Sequence, residues 1–124
     1  QLEHELSGMF DVAHGAGLAA VWGSWARYVY MENPKRFAQF AVNVMGIPQD
    51  FNHPEKTALE GIRAVEGFFR DIGMPTSVHE MGIDLTDEQI ETLAYKCSFM
   101  ETRYIGGFKK LEKADMIRIY QMAR

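Results

Sequence analysis

The chain of 124 residues has a single cysteine, Cys97. One thiol cannot form an internal disulfide, which excludes the small secreted domains that depend on several such bonds. Free thiols are typical of a reducing compartment, so the sequence predicts a cytoplasmic protein. Cys97 shares an apolar helical pattern with Ile90, Leu93 and Ala94. We therefore expect it to be a buried and unreactive thiol.

Basic clusters and long apolar runs are also missing. The formal net charge is -4, and the lysines and arginines are scattered, with Phe108-Lys109-Lys110 as the densest run. Nucleic acids and anionic membranes attract clustered basic residues, so neither is expected as a partner. No apolar run approaches the roughly 18 residues of a membrane span, and the first residues do not resemble a secretion signal.

The alternating pattern of β-strands is absent, and every strong apolar periodicity is helical. Between Gly17 and Tyr30, apolar residues recur at steps of three and four, which predicts a helix with one buried face. The sequence therefore predicts an all-α fold, a helical bundle that forms one domain over residues 1–124. The predicted inward residues of that helix are Leu18, Val21, Trp22, Trp25 and Val29. Further helices are predicted from Asn33-Pro34 towards Gly46, from Pro54 to Gly73, from Thr86 to Cys97, and from about Asp115 to Ala123.

The first residues give a helical pattern without a capping residue, and the chain opens on Gln1 and not on methionine. We expect from this that the sequence enters a longer polypeptide in its middle. Phe68 and Phe69 are predicted in the core. His53 and His79 lie in polar surroundings at a helix start and in a short turn, and surface positions are predicted for both.

Two other histidines, His4 and His14, flank one short segment. The pattern places His4 near the end of one helix and His14 at the start of the next, where Gly15 and Gly17 would let the backbone approach another group. The positive amino end of a helix disfavours an imidazolium, and neutral imidazole is the form that binds metals. The position of His14 therefore suits a metal ligand.

The alternative is a structural histidine pair, because a spacing of ten residues is not a standard metal-binding spacing and a site needs three or four ligands. Nearby carboxylates could complete a site, or could simply be favourable surface charges close to a helix start. These are Glu3, Glu5 and Asp11.

The stretch "HELSGMFDVAHGAGLA" resembles the signature of the iron-containing alcohol dehydrogenases, and is most similar to their butanol dehydrogenase branch. "WARYVY", "EGFFRDIGMPTSVHEMGI" and "GGFKKLEKADMIRIYQMA" follow in the order expected for the C-terminal helical region of that family. The resemblance covers essentially the whole chain. It implies the C-terminal part of a dehydroquinate synthase-like helical domain, preceded in the family by an N-terminal dinucleotide-binding domain that is absent from this sequence.

The same resemblance implies NAD(P)-dependent interconversion of small alcohols and aldehydes, with a divalent metal, Fe2+ or Zn2+, in the cleft between the two domains. An aspartate and three histidines hold that metal in the family, and His14 matches the last histidine. His4 matches a residue in the same cleft that contacts substrate or cofactor, and we expect it to be a catalytic proton relay. The preceding ligand histidine would fall four residues before His4, outside this chain, so the isolated chain is expected to be inactive.

The resemblance also implies a homodimer. One local departure is Gly23, where relatives often carry proline, and we expect a softer helix there. Two other functions stay open from the residues. The first is a free-standing helical binding or interaction module without catalysis, and the second is a single-domain metal sensor that uses His4 and His14.

Overall fold

The computed structural model describes all residues from 1 to 124. Six α-helices account for most of the chain, and no β-strand is present, which confirms the all-α prediction. Two short 3-10 helices, Tyr30–Glu32 and His79–Met81, lie between them. None of the helices is both long and apolar enough to cross a membrane. The α-helices are α1 Leu2–Phe10, α2 His14–Val29, α3 Pro34–Asn43, α4 Pro54–Asp71, α5 Asp87–Cys97 and α6 Lys113–Ala123.

Most helix boundaries follow the predicted signals. The amide of Arg36 donates to the side chain of Asn33 at 3.3 Å, which caps α3. Thr86 and Gln89 form the predicted capping box of α5, with hydrogen bonds of 2.9 and 3.1 Å. One prediction was wrong in position: His4 lies in the first turn of α1 and not near its end, whereas α2 begins at His14 as predicted.

The core lies where α2 packs against α1, α4 and α6, while α5 packs against α1 and α6. The hydroxyl of Tyr120 donates to the backbone carbonyl of Leu2 at 2.6 Å, which ties the first helix to the last. Burial raises the pKa of Tyr120 far above its usual value, so this hydroxyl keeps its proton. The largest fully buried side chains include Leu6, Val29, Ile62, Ile90, Leu93, Leu111, Met116, Ile119 and Tyr120.

Three predictions about burial can be judged directly. Cys97 is fully buried, and burial raises the pKa of its thiol, which confirms the prediction of an unreactive cysteine. Phe68 was predicted in the core, and this prediction was wrong, because its side chain is 54% exposed. Leu18 was predicted on the buried face of α2, and this prediction was wrong, because its side chain is 46% exposed.

Candidate functional site

A tight turn between α1 and α2 brings the two histidines together. The helix α1 ends at Phe10, and Asp11 caps it with a left-handed backbone at a φ of 53°. The Asp11 amide donates to the carbonyl of Ser7 at 2.8 Å, and α2 starts three residues later with His14. The chain therefore returns across the start of α1. The ring centroids of His4 and His14 lie 5.4 Å apart, so the predicted pair shares one site.

Glu3 is the carboxylate of this site, and it is only 1% exposed. Its Oε2 lies within hydrogen-bonding distance of Nδ1 of His14, and its Oε1 accepts a hydrogen bond from the hydroxyl of Ser7. Burial of a charged group is unfavourable unless the group is paired and hydrogen-bonded. The His14 ring and the Ser7 hydroxyl therefore supply what Glu3 needs in order to remain inside the protein.

Gly17 makes room for this carboxylate on the surface of α2. A Cβ atom placed at Gly17 would lie 2.7 Å from Cγ and 2.8 Å from Cδ of Glu3. Carbon atoms do not approach so closely, so any larger residue would displace the Glu3 side chain. The predicted close approach to the Gly17 backbone is therefore confirmed. Gly15 is different, because it is exposed and a Cβ atom placed there would lie 3.9 Å from a methyl group of Met74, an ordinary contact.

The outer side of the histidine pair is open. The side chain of His14 is 55% exposed, and its Nε2 has no hydrogen-bond partner in the chain. His4 is exposed and makes no side-chain hydrogen bond in the chain. Two imidazole rings thus present nitrogen atoms to the outside, and a buried carboxylate supports one of them from behind.

The chain contains no group of three or more histidine, cysteine, aspartate or glutamate side chains that could hold a metal ion. Of the carboxylates considered from the sequence, Asp11 is exposed in the turn and Glu5 makes no side-chain hydrogen bond. The residues present nevertheless fit part of a metal site. A histidine with one nitrogen on a carboxylate and the other free has the usual arrangement of a metal-ligating histidine.

Two concave regions flank the start of α2. One has a volume of about 560 Å³ and includes Ala13, Ala16 and Met74 in its lining. The other, of about 220 Å³, is mostly apolar and is lined by Glu3, Leu18 and the two tryptophans Trp22 and Trp25, among others. The tryptophans also pack against the core, so their predicted packing role is confirmed and they line a groove as well.

The remaining histidines lie on the surface, as predicted. Nδ1 of His79 is 2.7 Å from a carboxylate oxygen of Asp84, and both side chains are exposed. His53 precedes α4 and is 3.4 Å from Glu55, also with an exposed ring. Neither belongs to the cluster around His14.

A second buried carboxylate, Glu66 of α4, packs against the middle of α2 at Gly23. It is 6% exposed, and it accepts two hydrogen bonds from the Arg27 guanidinium, at 2.7 and 2.5 Å. This hydrogen bonding raises the pKa of Arg27 above its usual value. A Cβ atom at Gly23 would lie 2.7 Å from Cδ of Glu66. Gly23 provides space for this ion pair, and α2 continues through it to Val29. The softer helix expected at Gly23 stays a prediction.

Sequence reasoning missed the roles of Glu3 and Ser7. It named Glu3 as a carboxylate that could complete a site but favoured an exposed surface charge, whereas the side chain is buried. The available signal was the glycine at position 17, three residues after His14, together with an acidic residue in the first turn of α1. Only the folded chain shows that these two residues meet.

Comparisons with known proteins agree with this picture. The whole chain, residues 1–124, matches the family described as "Fe-containing alcohol dehydrogenase family, C-terminal". A probable NADH-dependent butanol dehydrogenase of Bacillus subtilis is 36% identical over 118 residues, which cover 95% of this chain and 30% of that protein. An NADP-dependent alcohol dehydrogenase of Entamoeba histolytica is 34% identical over 116 residues, 94% of this chain and 27% of that protein.

The fold also matches a solved structure. The crystal structure of an NADH-dependent butanol dehydrogenase from Thermotoga maritima superposes with a TM-score of 0.84 at 32% sequence identity. The match covers 98% of this chain and 31% of that chain. The chain thus spans about 30% of the length of the relatives that it matches.

Proposed function

Because this chain belongs to the Fe-containing alcohol dehydrogenase family and matches its C-terminal region, we propose that it forms the helical, metal-binding domain of an NAD(P)-dependent dehydrogenase. The reaction would interconvert small alcohols, of the butanol type, and their aldehydes. The observation that carries this proposal is the match of all 124 residues to the family, with His14 at the start of α2 and its Nε2 unbonded. An N-terminal dinucleotide-binding domain is the partner that the reaction requires.

His14 is the residue of this chain that would hold the divalent metal. Iron is the ion that the family description names, and zinc is also coordinated by imidazole nitrogen. A bound divalent ion supplies Lewis acidity to the oxygen of an alcohol or aldehyde. The nicotinamide supplies or accepts the hydride. The further ligands are proposed to lie outside residues 1–124, since no three-residue donor group exists within them.

His4 would act beside the metal ligand and not as a ligand itself. Its ring lies 5.4 Å from that of His14, is exposed, and is not engaged by another side chain. An imidazole can take up or release a proton at its ring nitrogens near neutral pH. We propose that His4 contacts substrate or cofactor and relays the proton that is exchanged with the alcohol oxygen.

We propose NAD(P) as the nicotinamide cofactor, because the relatives differ in the form that they use. The B. subtilis and T. maritima relatives are described as NADH-dependent, and the E. histolytica relative as NADP-dependent. A homodimer and a cytoplasmic location stay predictions from the sequence.

The test uses the complete polypeptide that carries these residues, isolated from its natural source and measured by intact mass. A mass far above the 14.2 kDa of residues 1–124 is expected. A natural species of about 14.2 kDa would instead favour the free-standing module.

The same complete polypeptide is then stripped of metal, reloaded with Fe2+, and assayed with 1-butanol and each nicotinamide. His14→Ala should bind metal more than about 100-fold more weakly and lose dehydrogenase activity, since a direct ligand should matter at least as much as a supporting residue. His53→Ala is the matched control, because this ring is exposed and distant from the cluster, and it should keep both properties. Unchanged activity in the His14 variant would refute the proposal.

A further inference from the structure

The position of the Glu3 carboxylate is fixed by the fold, independently of any bound ion. Glu3 lies between Leu2 and Leu6 on α1, and these two leucines are 6% and 0% exposed. The Tyr120 hydroxyl holds the carbonyl of Leu2 at 2.6 Å. On the other side, the Glu3 side chain packs directly against the backbone of α2 at Gly17. The protein therefore builds a rigid place for one buried carboxylate before any ligand is considered.

The carboxylate determines which way the His14 ring faces. Its Oε2 is the hydrogen-bonding partner of Nδ1, and an ionised carboxylate can only accept hydrogen bonds. Nδ1 must therefore carry the hydrogen of this contact. In a neutral ring the lone pair is then on Nε2, which has no partner in the chain and belongs to a side chain that is 55% exposed.

Ser7 completes the arrangement. Its hydroxyl donates to Oε1 of Glu3, so that the two carboxylate oxygens have different partners. The alternative acceptor for this hydroxyl, the carbonyl of Val12, is at 3.3 Å. Because Ser7 holds one oxygen, the carboxylate is oriented with its second oxygen towards His14.

We propose that Glu3 is a positioning residue that holds Nδ1 of His14, so that Nε2 is the nitrogen offered to the metal. Ser7 orients the Glu3 carboxylate, and Gly17 leaves the space that the Glu3 side chain occupies. This inference rests on the proposed function for the presence of the metal, whereas the orientation of the ring is a property of the chain itself. Partners of this kind typically change metal affinity by about 10–100-fold when they are removed.

The first measurement needs no variant and no metal. In the metal-free complete polypeptide labelled with 15N-histidine, the ring nitrogen shifts of His14 report which nitrogen carries the hydrogen. Hydrogen on Nδ1 is expected. A ring with its hydrogen mainly on Nε2 would overturn the inference, whatever the metal affinity.

The second measurement replaces Glu3 by glutamine, which has nearly the same shape. Ser7 and His14 contact different oxygens of Glu3, and in Glu3→Gln one of these positions becomes a donor NH2 group, so the side chain no longer offers an acceptor at both positions. Competition for Zn2+ against a chromophoric chelator should show affinity about 10–100-fold weaker, and the His14 signals should move towards hydrogen on Nε2 or a mixture.

Glu66→Gln is the matched control, because it also changes a buried glutamate that packs on a glycine of α2. It should leave the Zn2+ affinity and the His14 signals unchanged. Ser7→Ala should retain hydrogen on Nδ1 and weaken Zn2+ binding less than Glu3→Gln does.

The outcomes separate the inference from the proposed function. If the wild-type polypeptide binds Zn2+ through His14 and Glu3→Gln changes neither affinity nor ring signals, the inference is overturned and the proposed function stands. If the wild type binds neither Zn2+ nor Fe2+, the proposed function fails, and the assignment of Nε2 as a metal donor fails with it.

Discussion

Two buried glutamates from neighbouring helices pack against α2. Each of them lies on a glycine of α2, but their hydrogen-bonding partners differ. Glu3 of α1 lies on Gly17 near the start of α2, and Glu66 of α4 lies on Gly23 in its middle. The first carboxylate meets a histidine, and the second meets an arginine at position 27.

The difference lies in what remains free on the partner. The Arg27 guanidinium uses two nitrogens on the two oxygens of Glu66, a bidentate pairing in which each carboxylate oxygen has a partner. The His14 ring uses one nitrogen on Glu3 and retains the other. Both glutamates pack on a glycine of α2, but the pair of Arg27 and Glu66 has both carboxylate oxygens on one guanidinium, whereas the pair of His14 and Glu3 leaves Nε2 of His14 without a partner in the chain.

The largest effects are expected from filling the two glycine sites. Gly17→Ala and Gly23→Ala should each lower the free energy of unfolding by about 2–4 kcal/mol, because the new methyl group displaces a buried, paired carboxylate. This exceeds the gain of about 1 kcal/mol that alanine normally brings to a helix. Chemical denaturation of the complete polypeptide measures the loss.

Metal affinity should separate the two glycine variants, with weaker Zn2+ binding for Gly17→Ala alone. Gly67→Ala is the control, since nothing lies within 4 Å of the added carbon and α4 should become slightly more stable. Equal losses of metal affinity in Gly17→Ala and Gly23→Ala would contradict the claim that only the Glu3 site supports a metal ligand.

An intermediate effect is expected from removing the charge of Glu66. Glu66→Gln should reduce the free energy of unfolding by about 1–2 kcal/mol, less than for a fully buried pair because the Arg27 side chain is 34% exposed. Arg27→Lys keeps the charge but not the bidentate geometry, so it should lose part of this stability. A stability equal to the wild type in both variants would show that the ion pair contributes nothing.

The smallest effect is expected at the end of α2, where a third carboxylate has a neutral partner. The hydroxyl of Tyr28 donates to Asp115 of α6, and this hydrogen bond, together with burial, raises the pKa of Tyr28. Tyr28→Phe should lower the free energy of unfolding by about 1 kcal/mol. Tyr30→Phe is the control, because that hydroxyl makes no hydrogen bond in the chain and its loss should be neutral.

The pH dependence of this effect has a definite sign. A raised pKa in the folded state means that the stabilisation is fully present below the pKa of an unfolded tyrosine, about 10, and disappears as pH rises through the folded value. The difference between wild type and Tyr28→Phe in urea unfolding should therefore be constant near neutral pH and shrink above about pH 10. A difference that grows at alkaline pH would contradict the assignment.

The sequence was sufficient for the helices and for the position of His14, because helix periodicity and caps depend on residues close together in the chain. It was not sufficient for Glu3, whose burial depends on Gly17, or for the contact between Arg27 and Glu66, which are 39 residues apart. The exposure of Leu18 was missed for the same reason: an apolar pattern shows that a face exists but not how far it is covered.

The hydrogen bond from Tyr120 to Leu2 has a consequence for the order of folding. The two residues are 118 positions apart, so closing this contact joins almost the two ends of the sequence. Contacts of such high sequence separation are slow to form, because loop closure must precede them. The first turn of α1 therefore reaches its final arrangement only when α6 is available to pack against it.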